Sequence, residues 1–219
     1  MNTHLENYLK SIYSIGQETD GTASTNAIAA RLEMKASSVT DMLKKLDEQG
    51  YVRHTKYQGA ELTSKGRKIA VSVIRKHRLW EMFLVEKLGF TWDEVHEVAE
   101  QLEHVQSDKL IERLDGFLGY PSHDPHGDPI PDSNGKFAPR ELIALHELQP
   151  GKKAVVRGVK DHSAAFLRHL TMLELMPGQK IRLQERLEYD SSCQVERLPS
   201  HQIVQISATT SQYILIQEL

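Results

Sequence analysis

The residues best suited to chemistry are imidazoles and carboxylates at helical spacing. In the segment HEVAEQLEH, four of them stand at positions i, i+4, i+7 and i+8: His96, Glu100, Glu103 and His104. In a helix of 3.6 residues per turn these positions share one face. Upstream, His77 and Glu81 form another i, i+4 pair in RKHRLWEMF. Because divalent cations need several converging donors, the pattern predicts a divalent-metal site; the alternative is a face that only packs or meets solvent.

The donor types narrow the identity of the metal. Glu100, Glu103 and His104 offer two hard oxygens and one borderline nitrogen, without a thiolate or thioether. Ligand softness therefore disfavours copper(I) and structural zinc, and favours Mn²⁺ or Fe²⁺. Asp124 and His126 in the segment DPHG are two further candidate ligands, although Asp, Pro and Gly are also ordinary loop residues.

Charge is unevenly divided along the 219 residues, whose formal net charge is −3. Residues 31–78 carry 12 Lys and Arg against 5 Asp and Glu, whereas residues 79–150 carry 5 against 15. The basic segment predicts a polyanionic partner for the first part of the chain, and the acidic segment predicts bound cations for the second.

The basic segment has the pattern of a winged helix-turn-helix. Apolar spacing predicts a first helix over residues 5–15, and Ser24 or Thr25 is expected to cap a short second helix. A third helix is predicted to begin in the segment SSVTDMLKKLDEQG, where Ser38 and Asp41 fit a capping box, and to end at Gly50. The segment YVRHTKYQGAELT then predicts two short strands around a Gln-Gly turn. This wing offers three residues to DNA phosphates: Arg53, Lys56 and Tyr57.

Helices and a small β domain are predicted for the remainder. One helix runs from Thr63 to about Leu88, and another opens at Thr91 with Glu94 and continues through Leu114. Because these helices are long, a symmetric homodimer through them is expected. Residues 119–139 hold five prolines and predict a loop. Beyond Leu142, a helix in SAAFLRHLTMLEL and the β-type runs AVVRGV, KIRLQERL, QIVQISA and YILIQEL predict a barrel-like module.

Composition limits the class of protein. The single cysteine, Cys193, excludes a disulfide framework and a Cys-rich zinc site, and suits a reducing cytoplasm. The start MNTHLENYLK lacks a signal region, and no stretch approaches 18 apolar residues. We therefore expect a soluble, cytoplasmic protein with no membrane partner.

Six segments occur together in this chain: ENYLKSIY, ASSVTDMLKKLDEQGYV, LTSKGRKIA, RKHRLWE, VHEVAEQLEHVQSDK and DPHGDPIP. In combination they resemble the diphtheria toxin repressor and manganese transport regulator family of metal-dependent transcriptional regulators, over essentially the whole length. LQPGKKAVVRGV and LELMPGQKI resemble the SH3-like domain of three-domain members and of ferrous-iron transport accessory proteins. The resemblance implies a mainly α fold with a small β domain. Its parts would be a winged helix-turn-helix domain (1–63), a helical metal-binding and dimerisation domain (64–139) and an SH3-like barrel (140–219).

The resemblance also implies two metal sites. The primary, activating site would be formed by Asn7, His77, Glu100, Glu103 and His104. An ancillary site would tie the SH3-like domain to the dimerisation domain through Glu81, His96, Asp124, His126 and Asp161. Manganese-responsive members carry a carboxylate at the position of Glu100, where iron-responsive members carry sulfur, so Mn²⁺ is favoured over Fe²⁺. Because Asn7 and Lys10 replace acidic residues of some manganese sensors, we expect one primary ion and no two-metal cluster.

The function implied is repression of metal-uptake genes by a metal-bound homodimer. Its two recognition helices would lie about one helical turn apart, or a multiple of it, on a palindromic operator in double-stranded DNA. Contacts from the third helix are expected from Lys35, Ser37, Ser38, Thr40, Asp41, Lys44 and Lys45. Neither enzymatic activity nor a small-molecule substrate is expected.

Two alternatives stay open. A metalloenzyme would lack the H-E-x-x-H signature and would leave the winged helix unexplained. A metal-independent DNA-binding protein would bind its operator equally well with and without chelator.

Overall fold

The chain divides into two compact units. The first comprises residues 1–80, 100–117 and 131–137, and the second comprises residues 81–99, 118–130 and 138–219. A computed structural model describes residues 2–55, 58–139 and 141–219. Two of the predicted DNA-contacting residues, Lys56 and Tyr57, lie outside the described residues.

The first unit opens with three helices and a β-hairpin. These elements are α1 (Thr3–Glu18), α2 (Thr25–Arg31), α3 (Ala36–Glu48), β1 (Val52–Thr55) and β2 (Gly59–Leu62). As predicted, Ser24 caps α2 by accepting a hydrogen bond from the backbone N–H of Ala27. Leu9, Ile28 and Leu43 are fully buried in the core that these elements share. The order of helices and strands is that of the predicted winged helix-turn-helix.

The capping box predicted at the start of α3 was wrong. The helix begins at Ala36, and its N-cap Lys35 makes no side-chain capping hydrogen bond. Ser38 and Asp41 therefore lie inside the helix and form no capping box. The backbone N–H of Val39 makes the ordinary helical hydrogen bond to the carbonyl of Lys35, and the Val39 side chain is fully buried. Tertiary packing of such apolar side chains provides most of the stability of a helix in a protein.

Three more helices follow: α4 (Ser64–Leu88), α5 (Val95–Leu102) and α6 (Asp108–Phe117). The long helix predicted from Thr63 to Leu88 is confirmed. The continuous helix predicted from Thr91 through Leu114 was wrong, because the chain leaves helical geometry between α5 and α6. Ser107 caps α6, since its Oγ accepts a hydrogen bond from the N–H of Leu110 at 3.3 Å.

A six-stranded antiparallel sheet dominates the second unit. Its strands are β3 (Ile143–Ala144), β4 (Lys153–Val159), β5 (Lys180–Arg186), β6 (Cys193–Leu198), β7 (Ile203–Ile206) and β8 (Ile214–Glu218), in the order β3-β8-β4-β5-β6-β7. Helix α7 (Ala164–Met172) lies within the predicted segment SAAFLRHLTMLEL and begins after Ser163, which caps it. A short α8 (Ala208–Tyr213) precedes β8. The core of this unit includes Leu167, Ile181 and the fully buried Cys193.

Within residues 2–55, 58–139 and 141–219, none of the helices combines the length and apolarity needed to cross a membrane.

Candidate metal centres

The first unit gathers one imidazole and two carboxylates around a common point. His77 on α4, Glu100 near the end of α5 and Glu103 in the following turn each place a donor atom within 4.8 Å of the others. Nδ1 of His77 lies 2.6 Å from Oε2 of Glu103 and 3.8 Å from Oε1 of Glu100. The Glu103 side chain is completely buried. A buried carboxylate of this kind needs positively charged or hydrogen-bonding partners.

The second imidazole of this cluster is oriented by a residue that sequence reasoning missed. His104 places Nδ1 2.5 Å from Oε2 of Glu6, a fully buried carboxylate on α1. The other oxygen of Glu6 accepts a hydrogen bond from Gln106 at 3.0 Å. Since a carboxylate accepts, Nδ1 of neutral His104 carries the proton and Nε2 keeps its lone pair. That Nε2 lies 3.6 Å from Oε1 of Glu103, on the side of the cluster.

A lysine ammonium already lies among the carboxylates. Nζ of Lys10 is 2.5 Å from Oε1 of Glu100 and 2.8 Å from each oxygen of Glu103. The Lys10 side chain is only 18% exposed. These oxygens therefore converge on one cationic centre, which is what a metal-binding donor set must do.

Asn7 provides a further observation in favour of a cation site. Its side-chain oxygen Oδ1 is buried and has no hydrogen-bond partner among the described residues. A buried carbonyl oxygen without a donor is costly, and a bound cation would satisfy it. Asn7 lies on α1 between Glu6 and Lys10, whose side chains both reach the cluster. Two carboxylates, two imidazoles and this amide oxygen match the hard and borderline donors that Mn²⁺ and Fe²⁺ prefer, so the residues present fit such an ion.

The second unit holds another set of donors. Glu81, Asp124 and His126 are buried and place donor atoms within 4.8 Å of one another. Nδ1 of His126 lies 3.6 Å from Glu81, and Nδ1 of His96 lies 3.5 Å from the same carboxylate. Of the predicted ancillary residues, these four are brought together. His96 therefore faces Glu81.

The loop that carries Asp124 and His126 is held in shape by its own backbone. Oδ1 of Asp124 accepts hydrogen bonds from the N–H groups of His126 and Asp128, each at 2.9 Å. Gly127, between them, has a positive φ of 86° and lies against the backbone of Arg157 on β4. A Cβ atom at this position would collide with the Arg157 carbonyl. Glycine is therefore required both by the conformation and by the close approach.

The ring nitrogens of His126 have distinct partners. Nε2 lies 2.6 Å from the carbonyl of Trp92, so Nε2 carries a proton and Nδ1 faces Glu81. Burial opposes protonation of Nδ1, but the hydrogen bond to Glu81, the charges of Glu81 and Asp124 and the Trp92 carbonyl together raise the pKa of His126 to about 9. A cationic His126 is thus favoured by the same negative charges that would attract a metal ion.

Asp161 is placed differently from the other predicted ancillary ligands. Its Oδ1 accepts a hydrogen bond from the N–H of Ser163 at 2.8 Å, just before α7. Among the described residues, it belongs to none of the groups whose donors converge within 4.8 Å. The ring of the adjacent His162 stacks on that of His126 at a centroid distance of 5.0 Å. The role of Asp161 as a metal ligand stays a prediction.

The predicted DNA-contacting residues of α3 and the wing lie mostly on the surface. Six are exposed: Lys35, Ser37, Ser38, Asp41, Lys44 and Lys45. Thr40 is half-buried, and its hydroxyl donates to the carbonyl of Ala36. Arg53 on β1 is also exposed. This surface is available to a polyanion, and the individual contacts stay predictions.

Sequence-family models match nearly the whole chain. Residues 1–60 match "Iron dependent repressor, N-terminal DNA binding domain", and residues 63–132 match "Iron dependent repressor, metal binding and dimerisation domain". Residues 143–218 match the FeoA domain. The order agrees with the three predicted domains, whose boundaries stay predictions.

Individual proteins are similar to this chain over about half of its length or more. The chain is 33% identical over 192 residues to "Iron-dependent repressor IdeR" of Mycobacterium leprae, covering 82% of this chain and 83% of that protein. It is 38% identical over 116 residues to "HTH-type transcriptional regulator MntR" of Oceanobacillus iheyensis, covering 53% and 78%. The solved structure "Manganese-dependent transcriptional repressor complex with manganese" is 34% identical, with a TM-score of 0.86 over 98% of this chain and 100% of that one.

Proposed function

Because the chain belongs to the iron-dependent repressor family of metal-dependent transcriptional regulators, we propose that it represses metal-uptake genes in response to Mn²⁺. The matches confirm the predicted family and the predicted fold class. In this proposal the protein is cytoplasmic and acts as a homodimer. It binds a palindromic operator in double-stranded DNA. The relatives are described as repressors, which agrees with the expectation that the chain is not an enzyme.

The observation that carries the choice of metal is the donor set of the primary cluster. Glu100 and Glu103 supply carboxylate oxygens, and the buried side-chain oxygen of Asn7 has no hydrogen-bond partner in the described part of the chain. Among the described residues, no cysteine belongs to either cluster of converging donors. Oxygen donors with imidazole nitrogens favour Mn²⁺ and Fe²⁺ over softer ions. Fe²⁺ is the second candidate, because the M. leprae relative is described as iron-dependent.

The response would depend on the attachment of α1 to the turn after α5. A bound divalent ion would supply the positive charge that draws Asn7, Glu103 and His104 together. Glu6 already holds His104 from α1 and keeps Nε2 free of a proton. His77 and His104 must be neutral and both carboxylates ionised for binding, so affinity falls as the pH falls. Fixing α1 would restrict the orientations of the winged helix and favour those that fit DNA.

Binding of the full-length protein to a labelled palindromic duplex from its own upstream region tests this proposal. Fluorescence anisotropy is measured with Mn²⁺, with Fe²⁺ under anaerobic conditions, with Zn²⁺ and with chelator. The variants are Glu100→Ala and Glu103→Ala, and Glu112→Ala, an exposed acidic residue of α6, is the matched control. We expect tight binding with Mn²⁺ that is lost with chelator and in both cluster variants, but kept in the control.

Two other outcomes have definite meanings. A preference for Fe²⁺ would keep the mechanism and change the signal. Equal binding with metal and with chelator would contradict metal sensing and leave a metal-independent DNA-binding protein.

A further inference from the structure

We propose that Lys10 is a built-in counter-cation of the primary site, which must leave the carboxylates before a metal ion binds and so sets the metal concentration of the response. This inference rests on the proposed metal-sensing function. It assigns a role to a residue that is not itself a ligand. Lys10 would act by competing for the oxygens that the ligands offer.

The Lys10 ammonium contacts the same carboxylate oxygens that would bind the metal ion. Its Nζ lies 2.5 Å from Glu100 and 2.8 Å from both oxygens of Glu103. An ammonium has three N–H donors, so these three oxygens can satisfy it completely. The Glu103 side chain is completely buried and that of Lys10 is 18% exposed. Such a pair is less screened by water and salt than a surface ion pair.

A metal ion and the Lys10 ammonium would compete for these oxygens. Oxygen–metal distances for such ions are about 2–2.6 Å, and Nζ lies at 2.5–2.8 Å from the same atoms. A dication and an ammonium held by one carboxylate would be only a few ångströms apart in a partly buried site, where their repulsion is strong. Lys10 must therefore release Glu103 for the site to fill.

The surroundings of Lys10 permit this release. Glu100, its second partner, is 34% exposed, so one side of the cluster is open to solvent. The lysine stem has four flexible carbons and can carry the ammonium into water while its Cα stays in place. Glu6, one turn earlier on α1, keeps its separate contact with His104. The exchange would therefore replace the Lys10 link between α1 and the α5–α6 turn with a link through the metal ion and Asn7, while the link from Glu6 to His104 remains.

The consequence is a lower apparent metal affinity than the donor set alone would give. Each binding event has to break three charge-assisted hydrogen bonds, which are stronger than neutral ones. We expect removal of the ammonium to tighten metal binding by about tenfold or more, which corresponds to about 1.4 kcal/mol or more.

Direct metal binding in the absence of DNA provides the first test. The Kd for Mn²⁺ is measured by competition with a fluorescent chelator for the wild type, Lys10→Gln and Lys10→Arg. Lys109→Gln, at an exposed lysine of α6, controls for the general loss of one positive charge. We expect tighter binding in Lys10→Gln, no tightening in Lys10→Arg and an unchanged Kd in Lys109→Gln. An equal or weaker affinity in a folded Lys10→Gln protein would overturn the role of Lys10 but leave metal sensing intact.

The second test uses the unmodified protein and so does not depend on the folding of a variant. An amine-acylating reagent labels the lysines, and mass spectrometry measures the rate at Lys10 relative to Lys109. We expect the relative rate at Lys10 to rise when Mn²⁺ is added, because the ammonium is released to solvent. An unchanged or lower rate, in protein that binds Mn²⁺, would refute the displacement. Absence of Mn²⁺ binding by the wild type would overturn the proposed function itself.

Discussion

Glu6 is the residue whose substitution tests the site most sharply, because within residues 2–55, 58–139 and 141–219 its contact with the cluster is made through His104. Glu6→Gln keeps the size of the side chain but removes the charge. The carboxylate now fixes the Nδ1 proton of His104 at 2.5 Å and accepts from Gln106 at 3.0 Å. A glutamine can present one oxygen and one NH₂ group to these two donors. The glutamine NH₂ group would therefore face a second donor, either the Nδ1–H of His104 or the NH₂ group of Gln106.

The expected magnitude follows from these contacts. A residue that orients a metal-ligating histidine typically contributes about 10- to 100-fold to metal affinity. We expect a loss within that range for Mn²⁺. Because Glu6 is fully buried, leaving Gln106 or His104 without an acceptor also costs about 1–3 kcal/mol of stability.

Isothermal titration or chelator competition with Mn²⁺ measures the first effect, and thermal unfolding of the metal-free protein measures the second. Glu18→Gln is the matched control, because Glu18 lies on the same helix with a 61% exposed side chain paired to Arg31. An Mn²⁺ affinity within twofold of the wild type in folded Glu6→Gln would refute the idea that Glu6 orients His104 for binding.

Three further predictions concern other parts of the molecule. The pKa of His126 is raised from 6.5 to about 9, so its stabilising charge is fully present below pH 6.5 and lost as the pH rises through 9. Urea unfolding of the chelator-treated protein should therefore show stability falling over this window, with a flatter slope in His126→Gln. Gly127→Ala should lower the unfolding temperature measurably, because a positive φ and a clash with Arg157 together cost about 1–3 kcal/mol; an unchanged temperature would contradict the close approach. Lys45→Ala should weaken operator binding and reduce the salt slope by about one, and an unchanged slope in anisotropy titrations would remove Lys45 from the interface.

The parts of the fold that sequence predicted depend on local interactions. The Ser24 cap and the length of α4 follow from hydrogen bonds and periodicity within a few residues. The break after Leu102 could not be found in this way, because apolar spacing continues through it. The chain leaves the helix where Glu103 is completely buried and paired with Lys10, a residue 93 positions away. Such a partner is visible only once the tertiary structure is known.

The contrast between local patterns and tertiary contacts also explains which site residues were predicted and which were missed. His77, Glu100 and Glu103 were identified by residue type and helical spacing, and the structure gathers them. Glu6 was missed because an acidic residue near a helix start is usually a favourable surface charge. A signal was nevertheless available, since Glu6 stands three residues before the buried Leu9 and therefore on the buried face of α1.

Strand β6 was missed for a related reason. Its sequence CQVERL contains Glu196 and Arg197, both buried. Buried charged residues disrupt the alternation of apolar and polar residues on which strand prediction depends. They are tolerated because Glu196 is paired with Arg182 and Arg197 with Glu174. Pairing of this kind cannot be recognised before the strands are aligned.

The burial of Cys193 affects the sensitivity of the protein to oxidation. It is the only cysteine of the chain and is fully enclosed in the core of the sheet. Peroxides attack exposed thiolates, and a metal site built on sulfur is destroyed when its ligand becomes a sulfinic or sulfonic acid. Carboxylates, imidazoles and an amide do not undergo that chemistry under the same conditions. We therefore expect this donor set to escape the sulfinic and sulfonic oxidation that destroys sulfur-ligated metal sites.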